Sequence, residues 1–280
     1  MSSAQNTPPI GKPSLAFIGG GNMANAMLGG LIQQGMAADR IHVVEPVAAA
    51  RAQLSERFHV HTLDQAGPEL AQAGLVIWAV KPQNMQEATA AAGAFCPDAL
   101  HLSVAAGIRS DSLAQWLHSE RIVRAMPNTP ALVGLGQTGL FARASVSATD
   151  RQWVEQVVAT TGQFVWVKDE PLLDAVTAIS GSGPAYVFFF MEAMMQAGER
   201  MGLSAEQARQ LAVGTFVGSA ELARSASESP SVLRERVTSK GGTTHAAISK
   251  MQAARLDALF QEALEAARQR AKALGDEFGK

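Results

Sequence analysis

Charge is scarce in this chain, and what there is balances. Only 17% of the residues are Asp, Glu, Lys or Arg, 23 cationic against 25 acidic, for a formal net charge of −2. No Lys/Arg cluster makes a phosphate-tracking stripe, so the electrostatic footprint of a nucleic-acid binder is missing. Cysteine is almost absent. Cys96 stands alone, which excludes an intramolecular disulfide and a multi-cysteine metal site and fits a reducing compartment. His42, His59, His61, His101, His118 and His245 include no HExxH pair, so no metal is expected, and His59 and His61 read as surface residues. Residues 1–11 lack the charged start and apolar run of a secretory leader and read as a frayed tail. The most apolar run, residues 186–195, is interrupted by Glu192 and followed by Glu199 and Arg200, too short and too polar to span a bilayer. The expectation is a cytoplasmic protein whose partners include neither nucleic acid nor membrane.

What is present is apolar. At 280 residues and 47% hydrophobic, the chain can bury the core of one large or two ordinary domains. Residues 14–18 form a buried-strand pattern that runs into GGGNMA, followed by Met27, Leu28, Leu31 and Ile32 at helical spacing up to Gly35. Gly19, Gly21 and Ala24 fit GxGxx(G/A): a tight turn, room for a pyrophosphate, and a small residue where helix meets strand. A second strand, 41–44, ends in Glu45, at about the distance where a carboxylate binds an adenosine ribose; the alternative is a structural turn with an exposed Glu. Further strands are expected at 75–80, leaving through Lys81 and Pro82, at 100–104, leaving through Ala105, Ala106 and Gly107, and at 122–125, leaving through MPNTP. The small residues at 105–107 would let a flat ring lie against backbone. Asn128, between Pro127 and Pro130, either aims inward or caps the next segment. Strands at 134–142 and 163–167 flank a helix at 149–161, completing a Rossmann-type parallel sheet.

Beyond Asp169, Glu170 and Pro171 the pattern is helical to Leu274. The expected organisation is an α/β dinucleotide-binding domain over 12–168 followed by an all-α dimerisation and substrate domain over 169–280. Ser204 with Gln207 makes a capping box, and Ser229 before Pro230 marks another helix start. The helix after Pro184 is apolar on nearly every face, from Val187 to Met194. A small helical domain cannot cover it alone, so a homodimer or larger homo-oligomer is expected. Two glycine-rich stretches punctuate this half. DAVTAISGSGPAY, residues 174–186, must break or start a helix with its backbone closely approached, and VTSKGGTTHAAI, residues 237–248, places Gly241 and Gly242 before two threonines and a helix. Free amides beside hydroxyls hold a carboxylate or phosphate. Either stretch alone reads equally well as a capped helix start packed in a core; both together, behind a nucleotide-binding half, favour a site.

GGGNM at Gly19, AVKPQ at Ala79, RAMPNTP at Arg124, DAVTAISGSGPAY at Asp174 and VTSKGGTTHAAI at Val237 together resemble the pyrroline-5-carboxylate reductase family, from about Ser14 to the C-terminus. The last two motifs are specific to that family; the first is shared by most Rossmann oxidoreductases. The resemblance implies reduction of 1-pyrroline-5-carboxylate to proline with NAD(P)H. It implies a cofactor lying on Gly19, Gly20, Gly21, Asn22, Met23 and Ala24, on Glu45, on Ala79, Val80, Lys81 and Pro82, and on Ala105, Ala106 and Gly107, with Arg236 nearby. It implies a substrate carboxylate held by Ser239, Gly242, Thr243 and Thr244 across a subunit interface. Thr244 is the candidate catalytic side chain, its hydroxyl reaching the ring nitrogen; the competing role is a helix N-cap. Two departures stand out: Lys240 occupies a position where the family usually has Pro, and the loop 64–67 lacks an Asn that many members use beside the ribose.

The implied chemistry is undemanding, because a protonated cyclic imine is already electrophilic at carbon. A hydroxy-acid dehydrogenase would need a general acid, and residues 174–186 contain no Lys or His. A nucleotide-binding sensor without turnover would have an eroded carboxylate loop, whereas Ser239, Gly241, Gly242, Thr243 and Thr244 are all present.

Overall fold

The structure, a computed structural model, describes residues 14–279. The stretch 1–11 read above as a frayed tail lies outside them.

The first part of the chain alternates strand and helix: β1 (Ser14–Ile18), α1 (Asn22–Gln33), β2 (Ile41–Val44), α2 (Ala48–Phe58), β3 (His61–Leu63), β4 (Ala73–Trp78), α3 (Met85–Ala92), β5 (Leu100–Ser103), α4 (Ser110–Leu117), β6 (Ile122–Met126), β7 (Gly136–Ala142), α5 (Ala148–Ala159) and β8 (Gly162–Trp166). They form one sheet in the order β3-β2-β1-β4-β5-β6-β7-β8. The two-residue period of a strand divides its side chains between two cores. Leu15, Phe17, Leu75 and Ile77 face α1 and α5, with Met27, Leu28, Leu31, Val154 and Val157. Ala16, Ile18, Val76 and Trp78 face the other way, with Met85, Ala92, Leu113 and Leu117 of α3 and α4. Burial on both faces is why these strands read as continuous apolar runs.

Two features differ from the expected sheet. β3 was not expected; its three residues are half-buried or exposed and show no alternation. The sheet is also not wholly parallel. β7 pairs antiparallel with β6, and β8 runs parallel to β7. The link from β6 to β7 is a short loop with one 3-10 turn, Thr129–Val133, far less chain than a parallel crossover needs. Asn128 holds that loop from inside: its Oδ1 accepts from the Gln137 amide at 2.8 Å, and its Nδ2 donates to the Ser180 carbonyl at 3.1 Å. The inward reading of Asn128 is the one observed, with a structural job.

Helices follow: α6 (Leu172–Val176), α7 (Gly183–Arg200), α8 (Ala205–Ser225), α9 (Pro230–Arg236), α10 (Thr243–Ala253) and α11 (Leu256–Phe278). Between α6 and α7 the chain makes a π-helical turn, Thr177–Gly181, in place of the expected break. The turn holds because Thr177 Oγ1 donates to the Leu173 carbonyl and Ser180 Oγ to that of Val176, while Pro184 sits in the first turn of α7 where its missing N–H costs nothing. The close approach anticipated at these glycines is made by Met126, whose Cε lies 2.5 Å from where a Cβ on Gly181 would stand. Because the turn joins the two helices, Leu172–Arg200 is 29 residues long and reaches a mean hydropathy of 1.2 over an 18-residue window. By length and composition alone that suffices to cross a bilayer, which corrects the expectation that the apolar run was too short.

Contacts divide the chain into two compact units: one runs up to Gly181 and takes back the residues from Ala267 onward, and the other is Ser182–Ala266. Strands cease at Trp166, near the expected boundary at 168, but compactness carries the first unit further. An ion-pair cluster fastens α6 to the sheet, beside the buried Leu173. Arg109 pairs with Asp174 through two bonds of 3.1 and 2.9 Å. Arg124 on β6, buried, donates to Glu170 Oε1 at 2.7 Å, and the backbone and hydroxyl of Ser110 bond the same carboxylate. Burial pulls the Arg124 guanidinium below its usual range, with Glu170 offsetting part of the loss. At the end of α11, Gly279 accepts from Ser112 Oγ at 2.6 Å.

In the second unit, α7 and α8 pack where Gly198 meets Ala208, and Tyr186, Phe190 and Phe260 make edge-to-face ring contacts at 5.7 Å. The Ser204–Gln207 capping box forms at the start of α8. Ser229 precedes α9, but its hydroxyl bonds Ser231 instead of a helix amide. Of all α7 only Gly198 is buried, while Val187, Phe188, Phe189 and Met194 are exposed. An apolar helix left bare by its own chain calls for cover from elsewhere.

Candidate functional site

Strand β1 delivers the chain into a turn that only glycine can make. Gly19 has φ +97°, and a Cβ there would stand 2.7 Å from the Ala79 carbonyl oxygen. At Gly21, by contrast, a Cβ would meet nothing within 4 Å, so the space above it is open. Asn22, Met23 and Ala24 form the first turn of α1, and the first intrahelical bond is that of Asn25 to the Gly21 carbonyl, which leaves their amides unclaimed by the helix. Asn25, missed in the sequence reading, donates from Nδ2 to the carbonyls of Gly20 at 2.8 Å and Gly21 at 3.0 Å, tying the glycine turn to α1. Glu45 follows β2, with Oε2 accepting from the Gly20 amide at 2.9 Å and Oε1 from the Val47 amide at 2.9 Å.

The glycine turn and Glu45 open onto a cleft of about 590 Å³, whose lining does not include Asn22, Met23 or Ala24. It brings together Gly19, Gly20, Gly21, Glu45, Ala79, Val80 and Lys81 from the expected set. It adds Asp64, Gln65 and Ala66, which come after the unexpected β3, and Asn84, Glu87 and Ala88 at the start of α3. The family resemblance alone had put the loop 64–67 beside the ribose; β3, which positions it, was not legible because its three residues show no alternation. Pro82 opens a 3-10 turn behind Lys81 and is not part of the lining. Ala105, Ala106 and Gly107 are not part of it either. Gly107, at φ +80°, is closely approached by Gly275 and Leu274 of α11. A positive-φ glycine backed by a carbonyl, free amides at a helix start and open space above Gly21 fit the pyrophosphate of a dinucleotide.

The second expected group lies in the other unit, at the start of α10. Gly241 has φ +75°, and Gly242 is the residue before the helix, its amide bonded to the Ser239 carbonyl at 3.0 Å. A Cβ at Gly242 would stand 2.6 Å from Ser239 Oγ, so any larger residue there has to displace the Ser239 hydroxyl. Thr243 and Thr244 are the first two helical residues, so Thr244 is not the N-cap. Among the described residues neither threonine hydroxyl has a partner, and the amides of Thr243, Thr244 and His245 have no backbone acceptor. Lys240 is exposed between Ser239 and Gly241. Arg236, expected near the cofactor, pairs with Glu228 at the surface.

Among the described residues no group of three or more His, Cys, Asp or Glu could hold a metal ion. Cys96 is buried, and burial pushes its thiol up to about 11, so it is no nucleophile at neutral pH.

A Rossmann sheet with a glycine turn, an acidic residue past β2 and a cleft at the strand ends defines a nicotinamide-dinucleotide oxidoreductase architecture. Residues 14–107 match the family model described as NADP oxidoreductase coenzyme F420-dependent, and residues 170–274 match that for pyrroline-5-carboxylate reductase dimerisation. The pyrroline-5-carboxylate reductase of Pseudomonas aeruginosa is 45% identical over 269 residues, covering 95% of this chain and 98% of that protein. That of Haemophilus influenzae is 41% identical, covering 90% and 94%. Among solved structures, a pyrroline-5-carboxylate reductase from Coxiella burnetii superposes with a TM-score of 0.88 at 37% identity, covering 94% of this chain and 98% of its own. The Plasmodium falciparum pyrroline carboxylate reductase with NADP bound gives 0.83 at 28% identity, with the same coverage. The chain belongs to the pyrroline-5-carboxylate reductase family.

Proposed function

We propose that the chain reduces 1-pyrroline-5-carboxylate to L-proline with NAD(P)H, as an obligate homo-oligomer built on a dimer. The observation that carries the substrate half is the start of α10: unclaimed amides at Thr243, Thr244 and His245 beside the unpartnered hydroxyls of Thr243 and Thr244. Such an N-terminus binds a carboxylate without a cationic side chain, and Ser239 and Gly242 complete the loop around it. With the carboxylate seated there, the Thr244 hydroxyl is the group available to hydrogen-bond the ring nitrogen and keep the imine oriented for attack at carbon. The nicotinamide, when bound, supplies the hydride. On the cofactor side, the amides of Asn22, Met23 and Ala24 face the pyrophosphate, Gly21 leaves it room, Glu45 accepts from the ribose, and Ala79, Val80 and Lys81 form the far wall. Pro82, Ala105, Ala106, Gly107 and Arg236 complete the assignment that the family resemblance carries. The lone, buried Cys96 and the need for a reduced dinucleotide support a cytoplasmic location. The exposed apolar face of α7, within the match to a dimerisation family, supports a second copy as its cover over a lipid bilayer.

The test is spectrophotometric: oxidation of NADH or NADPH followed with and without pyrroline-5-carboxylate. Turnover that depends on the imine is expected, and none with either cofactor refutes the proposal. A 2-hydroxy or 2-oxo acid turned over in its place would revive the dehydrogenase alternative.

A further inference from the structure

The end of β2 bears on which reduced dinucleotide this chain takes. Glu45 is the first residue past the strand, and its carboxylate is pinned. One oxygen accepts from the Gly20 amide and the other from the Val47 amide, each at 2.9 Å. Swinging the side chain aside would strip both amides of their acceptor, one of them in the glycine turn itself. A carboxylate oxygen can accept more than one bond, so each retains capacity for a ribose hydroxyl. A 2′-phosphate replaces that hydroxyl with a group carrying a charge of about −1.5 to −2. It would meet a fixed negative group.

The charges of the cleft lining do not favour it. The charged residues lining the cleft are Glu45, Asp64 and Glu87 against Lys81, three carboxylates to one ammonium. Arg51, six residues on, is tied to backbone through Nη1, which donates to the carbonyls of Glu45 and of Pro46, both at 2.8 Å, and holds its guanidinium there with its charge unpaired by either carbonyl. We infer that Glu45, pinned by two backbone amides in an acidic cleft, makes this enzyme selective for NADH over NADPH. The inference rests on the dinucleotide reading of the cleft and deepens it; the family model matched by the first unit and the Plasmodium relative both carry NADP in their descriptions.

The test is a binding titration of the purified protein with NADH and with NADPH, by calorimetry, without imine substrate. At low salt the Kd for NADPH is expected to be at least tenfold weaker than for NADH, with the gap narrowing as salt screens the repulsion. Glu45→Ser is expected to close the gap, tightening NADPH and weakening NADH. Glu45→Gln, which keeps an acceptor for one amide, serves as the second variant should the loop need that bond to fold. NADPH bound as tightly as NADH by the unmodified protein overturns the inference. So does a ratio unchanged in both variants when their melting temperatures match the parent. Binding of neither dinucleotide overturns both the inference and the cofactor half of the proposed function. NADH binding without imine turnover refutes only the proposed reaction, and the Kd ratio still decides selectivity.

Discussion

Phe188 offers a direct measure of how far this chain depends on a second copy of itself. It is 60% exposed on α7, next to Phe189 at 67%. A phenylalanine has roughly 200 Å² to bury, so about 120 Å² of Phe188 awaits cover, worth about 3 kcal/mol at 25 cal/mol per Å². In a two-fold interface each residue appears twice, so Phe188→Ala removes up to about 6 kcal/mol per dimer, roughly four powers of ten in Kd. The loss falls on association and not on the fold of the first unit, because no residue of α7 lines the dinucleotide cleft. Sedimentation velocity over a dilution series should give the parent as a dimer or larger at every concentration down to nanomolar, and Phe188→Ala as a monomer at micromolar. Dinucleotide binding should survive in the variant. A parent protein that is monomeric and active at micromolar concentration, or a variant that associates like the parent, would refute the reasoning.

Thr244→Ala should lower kcat/KM for the imine at least tenfold, about 1.4 kcal/mol of transition-state stabilisation, with melting temperature unchanged because Gly242 and not Thr244 precedes the helix. If Ser239→Ala is the more damaging change, the donor is Ser239. Gly21→Ala meets no protein atom within 4 Å, so it should leave stability alone while raising the Kd for NADH by tenfold or more, whereas unchanged affinity would mean the pyrophosphate lies elsewhere. Acid should destabilise the fold through His101, which is buried with Nδ1 accepting from the Trp78 indole at 3.2 Å and is held down to about 4 by burial and then by Arg121. Its folded value lies below the ordinary 6.5, so the unfolded chain takes the proton first and stability drains as pH falls from about 6.5 to 4, by about 3 kcal/mol in full. His101→Gln, which keeps an acceptor for Trp78, should flatten that part of the denaturation-versus-pH curve.

What the sequence disclosed follows from what leaves a local trace. β1, the glycine turn, α1 and β2 were legible because strand burial on two faces, a GxGxxA spacing and helical recurrence each occupy a few consecutive residues. The reversal of β7 was not read, since burial periodicity is blind to strand direction. The trace that carried it was the nine residues between Met126 and Gly136, too few for a crossover. Nor could the fastening of α6 be read. Arg109 and Asp174 lie 65 residues apart and Arg124 and Glu170 46 apart, and nothing in one dimension tells which Arg meets which carboxylate. The π-helical turn was hidden for a different reason. Gly181, Gly183 and Pro184 are helix breakers by propensity, and side-chain hydroxyls at Thr177 and Ser180, together with a proline placed in a first turn, let the helix continue past them.

The two halves of the proposed site also differ in how firmly their own chain sets them, and the difference predicts where control over turnover resides. In the dinucleotide cleft, Asn25 holds two carbonyls, Glu45 bridges two amides and a backbone carbonyl sits behind Gly19, so the binding geometry exists before any ligand arrives. Around the carboxylate loop, the bond within the turn is that from the Gly242 amide to Ser239, and Lys240, in place of a φ-restricting proline, leaves the unfolded loop more freedom to lose. On the proposed site, cofactor affinity is therefore expected to be a property of one protomer's sheet, whereas orientation of the imine is expected to depend on ordering that substrate and a neighbouring subunit supply. Dissociation should accordingly be felt in kcat and in the KM for the imine, with the Kd for the reduced dinucleotide left in place.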